Sequence, residues 1–112
     1  MSTENLPIFK AAYDLLLKVN LYRKNFPKEY KSTLGEQVHQ SCLSTITFIY
    51  RANLARDDRK IYLDKVSHYI NEVNILIRLC KDLKLFSLTQ YSDLLEFVIS
   101  IEKQVFGWSK VN

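Results

Sequence analysis

The stretch LDKVSHYINEVNILIRLC, residues 63–80, decides the fold. Leu63, Val66, Ile70, Val73, Ile77 and Cys80 recur in alternating steps of three and four, which lines apolar side chains along one helix face. Asp57 or Asp58 can cap this helix after a very short corner. Beyond it, Ser87 with Gln90 offers a capping box for a last helix through Tyr91, Leu94, Val98, Ile101, Val105 and Trp108. Upstream, Leu34, Val38, Cys42, Thr45, Ile49 and Ala52 keep the same spacing, with Thr33 as N-cap and Glu36 three residues on to complete a second capping box. A first helix runs from about Pro7 to Asn25, its proline preset for the first turn, and Pro27 stops it. Four helices of ~20 residues with short connections predict an all-α, antiparallel up-down-up-down four-helix bundle, one domain over residues 1–112.

Composition agrees with that reading. The chain has 47% hydrophobic and 25% charged residues, against only 2 Gly and 2 Pro, which favours long helices over a many-turned sheet. Cys42 and Cys80 fall on apolar seams, so both read as small core residues in a reducing compartment. No apolar run approaches the ~20 residues of a membrane span and no signal segment opens the chain, so a soluble cytoplasmic protein is expected.

Catalytic chemistry has little to stand on. His39 and His68 are the only histidines, and His39 with Cys42 makes one two-ligand step where a closed metal site wants four. No glycine-rich phosphate loop, nucleophile elbow or cluster of acids appears. The expectation is a protein without catalytic residues, metal, cofactor or small-molecule substrate.

Basic residues are more informative. The net charge is +4, and residues 1–86 carry 14 Lys+Arg against 9 Asp+Glu. The corner RANLARDDRK gathers Arg51, Arg56, Arg59 and Lys60, either as charges matched to two helix ends or as a phosphate-gripping edge. Arg78, Lys81 and Lys84 recur at helical spacing away from the seam, with Asn71 and Asn74 extending that face and only Asp82 intervening. Solvated faces usually alternate in sign, as Asp14 with Lys18 does on the first helix. Lys28 and Lys31 flank the start of the second helix, whose free N–H groups could hold an anion, and Gly35 in its first turn suggests a close approach there.

The helices also carry more apolar surface than one seam needs. The first has two adjacent stripes, Phe9, Tyr13, Leu16 and Ile8, Ala12, Leu15, Val19, Tyr22; the third adds Tyr62, Tyr69 and Leu76 beside its seam. Such stripes left exposed would exceed what soluble monomers tolerate, so Ile8, Tyr22, Tyr62, Tyr69 and Leu76 are expected at an interface between copies. Because the two overfull helices differ, the contact could be head-to-tail, which closes into rings.

Four segments in register, FPKEYKSTLGEQV, YRANLARDDRKIYL, LIRLCKDLKLFSLTQY and IEKQVFGWSK, resemble the accessory variability protein (Avd) family of diversity-generating retroelements. A sister family encoded in ribosomal-RNA intervening sequences shares the F-P-K and L-G features but carries N-I-A-E-G where this chain has YRANLAR. The resemblance implies a non-enzymatic protomer of a barrel-like homopentamer, with a basic surface that binds the element's reverse transcriptase and structured RNA or cDNA through phosphate contacts. The alternative is a stand-alone bundle of the intervening-sequence type acting only through protein contacts.

Overall fold

Pro7 opens α1, residues Pro7–Arg23, after a single 3₁₀ turn at Thr3–Asn5. The structure, a computed structural model, describes residues 2–111 and continues with α2 (Lys28–Lys31), α3 (Leu34–Leu54), α4 (Arg59–Asp82) and α5 (Leu88–Lys110). Each long helix packs on its two ring neighbours, α1 on α3 and α5, and α4 on α3 and α5. That is the expected up-down-up-down four-helix bundle, 44 Å long and about half as wide. Among the described residues there is no strand.

The four seams meet in one core. Leu63, Val66, Ile70, Val73, Ile77 and Cys80 of α4 are all buried, against Val38, Cys42, Thr45, Ile49 and Ala52 of α3 and Leu94, Val98, Ile101 and Val105 of α5. Burial pushes the Cys42 thiol up to about 12 and that of Cys80 to about 11, so both stay protonated and behave as apolar volume.

Corners depart from the sequence reading more than helices do. Pro27 ends α1 as expected but also starts α2, a single turn the periodicity could not reveal. Thr33 stands at the N-cap of α3 without making the cap bond; its hydroxyl donates backwards to the Glu29 carbonyl at 2.8 Å, and Glu36 turns to other partners. Asp58 likewise occupies the N-cap of α4 without a side-chain cap bond. Ser87 and Gln90 do form the capping box of α5, with reciprocal bonds of 3.0 and 3.1 Å. Just before it, Lys84 adopts a left-handed φ of 63°, and the Leu85 N–H reaches back to the Cys80 carbonyl at 2.7 Å. This is the Schellman closure of α4, with a lysine where glycine is usual.

Aromatic residues close both ends. At one, Phe26 from the α1–α2 corner meets Phe86 from the α4–α5 corner with ring centres 5.1 Å apart. At the other, the Arg59 guanidinium lies over the Trp108 ring at 5.5 Å, and Asn53 donates to Thr3 at 2.7 Å.

The apolar residues assigned to an interface are largely used inside the protomer. Ile8 is only 4% exposed and Leu76 6%, both in the core. Tyr22 sits edge-on to Phe86 and donates to Asp93 at 2.6 Å, while Tyr62 and Tyr69 stack on Phe48. Exposed apolar side chains include Tyr13, Leu17 and Leu21 on α1, Leu43, Tyr50 and Leu54 on α3, and Ile61, Ile75 and Leu79 on α4.

Lys18 does not pair with Asp14; its ammonium binds Asp93 of α5 at 3.0 Å, beside the Tyr22 hydroxyl. The Tyr22 bond, aided by Lys18, holds the Asp93 carboxyl below the usual carboxylate range, and Asp93 in turn raises Lys18 above its ordinary value. A depressed acid contributes stability that is present above its unfolded value, ~3.9, and is lost as pH falls through the folded one. Asp93→Asn should therefore lower the urea midpoint by a constant amount between about pH 5 and 8, a difference that shrinks below about pH 4. A difference that persists unchanged into acid would mean that the carboxylate charge contributes nothing to the α1–α5 joint.

Candidate nucleic-acid interface

Tertiary packing sorts the basic residues by end rather than by helix. The Phe26–Phe86 contact brings the α1–α2 corner beside the α4–α5 corner, so exposed Lys28 and Lys31 share one end of the bundle with Arg78 and Lys84. Lys24, also exposed, belongs to this end and was missed because it lies outside any patterned run. Arg51, Arg56, Arg59 and Lys60 lie at the opposite end, ~36 Å away along the 24 residues of α4.

The individual placements differ in kind. Arg59 is committed to the fold: its guanidinium donates to the Ala52 carbonyl at 2.9 Å and the Ala55 carbonyl at 3.2 Å while covering Trp108. Arg51 lies over the Phe48 ring at 5.5 Å and helps to line a shallow cavity of about 320 Å³ with Leu54, Ala55, Asp58 and Tyr62. Arg56 and Lys60 are exposed.

On α4, the triplet Arg78, Lys81 and Lys84 is not one helical face. Lys81 pairs with Asp82 at 3.4 Å and sits over the Tyr91 ring at 4.7 Å, so the one intervening acid is its partner. Lys84 lies past the helix end, at the left-handed position. Its amine therefore leaves from the corner, where Lys81, Asp82, Lys84, Phe86, Ser87 and Leu88 line an open cavity of about 390 Å³. An L-residue in that conformation costs ~1–2 kcal/mol relative to ordinary helix backbone. Lys84 thus keeps a cation at this corner against its backbone preference.

Gly35 proves to be an internal contact. A Cβ there would come within 2.8 Å of the Arg23 Nε atom. Arg23 crosses the corner in front of it, donating to the Lys31 carbonyl from Nε at 2.9 Å and from Nη2 at 2.7 Å, and to Glu36 at 2.8 Å. Gln40 first, then Arg23, holds the Glu36 carboxyl below its usual range. Glu36 thus serves this strap instead of the expected capping box. Nothing local in the sequence announces it, because Arg23 and Gly35 are twelve residues apart.

His39 and His68 do not meet. Asn20 contacts the His39 Nδ1 at 3.0 Å, while His68 lies 3.8 Å from Glu72 on its own helix. Among the described residues, no three His, Cys, Asp or Glu side chains converge as a metal site would require. Nor, among those residues, is any helix long and apolar enough to cross a membrane.

These features define the class as an all-α four-helix bundle whose gathered surface chemistry is cationic. A family model described as bAvd-like matches residues 7–112, and the chain belongs to that family. No curated protein matches the sequence.

The strap makes a sharp energetic test. Alanine in a helix is favoured over glycine by ~1 kcal/mol, yet Gly35→Ala should destabilise the protein by about that amount, because Arg23 must leave its three bonds. In an Arg23→Ala background the same change should stabilise. Urea unfolding of the four proteins measures this, and simple additivity of the two changes would reject the strap as the reason for the glycine.

Proposed function

We propose that this protein is the non-enzymatic accessory subunit of a diversity-generating retroelement, binding its reverse transcriptase and template RNA during mutagenic copying. Family membership supports the element, and the observation that carries the RNA contact is the basic end. Two corners distant in sequence bring Lys28, Lys31, Arg78 and Lys84 together there, against Glu29 and Asp82 as the neighbouring acids. Clustered, flexible ammonium groups with one guanidinium suit a phosphate backbone, where each contact releases counterions. Exposed Arg56 and Lys60 form a second, smaller set at the far end, suited to the same RNA or to the polymerase.

Assembly belongs to the same proposal. The resemblance implies five copies, and the surface suited to a head-to-tail contact is the outer face of α1, Tyr13, Leu17 and Leu21, facing the Leu43, Tyr50 and Leu54 stripe of a neighbouring copy's α3. A ring would repeat the basic end around its axis and multiply weak phosphate contacts.

Two measurements test this reading. Labelled structured RNA titrated at several salt concentrations should show log K falling by ~0.7–0.9 per phosphate contact as log salt rises. Arg78→Gln with Lys84→Gln should weaken binding and flatten that slope, whereas Lys10→Gln with Lys65→Gln should change it little. Equal effects from both pairs would assign binding to bulk charge. Light scattering behind size exclusion should give the mass of five copies, and Leu17→Glu with Leu21→Glu should release monomers. A wild-type monomer across the micromolar range removes the ring.

A further inference from the structure

The last helix carries a surface stripe that neither the core nor the corners use. Ile99, Lys103, Phe106 and Lys110 follow one another in steps of four, three and four, so they share one face of α5, and all four are exposed. Apolar and cationic side chains alternate along it. Ile99 is 42% exposed and Phe106 63%, and the Lys110 ammonium stands 4.4 Å from the Phe106 ring centre. A second couple of the same kind, Lys81 over Tyr91, lies 15 residues towards the basic end, ~22 Å along the helix axis.

The neighbouring wall is polar. Antiparallel packing, pinned by Lys81 on Tyr91 and Arg59 on Trp108, sets Asn71 about level with Ile99 and Ser67 about level with Lys103. Among the described residues, Ser67, Asn71, Asn74 and Arg78 have no side-chain partner, so their donors and acceptors are open to a ligand. Asp64, exposed three residues before Ser67 on the same face of α4, Asp82, already paired with Lys81, and Glu96 and Glu102 on the flanks of the stripe are the nearby acids.

We infer that the α4–α5 face is a track for single-stranded nucleic acid, running from the basic end towards Phe106 and Lys110. This rests on the nucleic-acid reading above and refines its ligand. A duplex presents only phosphates, sugars and groove edges to a flat helical face, which gives an exposed phenylalanine and isoleucine nothing to cover. An unpaired strand offers base faces to stack on Phe106 and pack on Ile99, phosphates for Lys103 and Lys110, and base edges for the two asparagines. Alternating apolar and cationic residues match the alternation of base and phosphate along such a strand.

Fluorescence anisotropy with an unstructured oligouridylate of about 12 nucleotides, and with an RNA duplex of equal length at equal salt, tests the track. The single strand should bind more tightly. Phe106→Ala should weaken it about tenfold while leaving the duplex unchanged, since one stacked base contributes roughly that factor. Phe106→Trp should keep the affinity, which separates stacking from any loss of structure. Equal binding of both RNAs with no effect of Phe106→Ala overturns the track but leaves phosphate binding in place. Binding of neither RNA overturns the underlying reading as well. A Phe106→Ala protein whose RNA affinity is unchanged but whose light-scattering mass falls would assign the stripe to protein contacts and also overturn it.

Discussion

The apolar seam of α4 governs the rest of the molecule. Leu63 to Cys80 must be withdrawn from water along their full length, and only three other long helices lying alongside can do it. Each fully buried aliphatic side chain on that seam contributes ~1.5–3 kcal/mol, so every partner helix must present a matching face. A straight 24-residue helix also fixes the distance between the bundle's two ends. The corners, with their charges, are therefore held far apart by the same packing that hides the core.

Because the core settles helix direction, the corners are free to be closed by side chains instead of textual cap signals. Arg23 ties the start of α3 to the end of α1, Phe26 with Phe86 seals that same end, and Arg59 ties the end of α3 to α5 at the other. Lys18, Tyr22 and Asp93 do the equivalent along the α1–α5 joint. Each of these replaces a local bond with one between distant parts of the chain. Thr33 and Asp58 occupy cap positions without making cap bonds, and the corners beside them are held by these longer-range contacts.

The same economy of surface bears on function. The cations are not equally available, since Arg59 is spent on the fold and Lys81 is shared with Asp82 and Tyr91. Those left open, Lys28, Lys31, Arg78 and Lys84, lie at one end of the bundle, and Lys84 is kept there in a backbone conformation that suits glycine better. A family membership over residues 7–112 gives these cations their proposed meaning, a support for nucleic acid.

Helical periodicity by itself determined the number, order and facing of the long helices, because burial of a seam every three to four residues is a local requirement repeated many times. It found most of the core of α3, α4 and α5, and the capping box at Ser87, whose two partners are three residues apart. It could not find α2, a turn too short to show a period, nor the Lys18–Asp93 pair, where the nearer Asp14 was the better local guess. It also placed Ile8 and Leu76 outside the core, since a stripe next to a seam is buried or exposed according to how closely the neighbouring helix wraps it. The basic residues were each visible, but their grouping was not: which corners share an end, and which cations the fold has already engaged, depend on contacts between residues dozens of positions apart. Only the assembled bundle sets those, because the long-range packing energy that chooses them has no counterpart in any local stretch of chain.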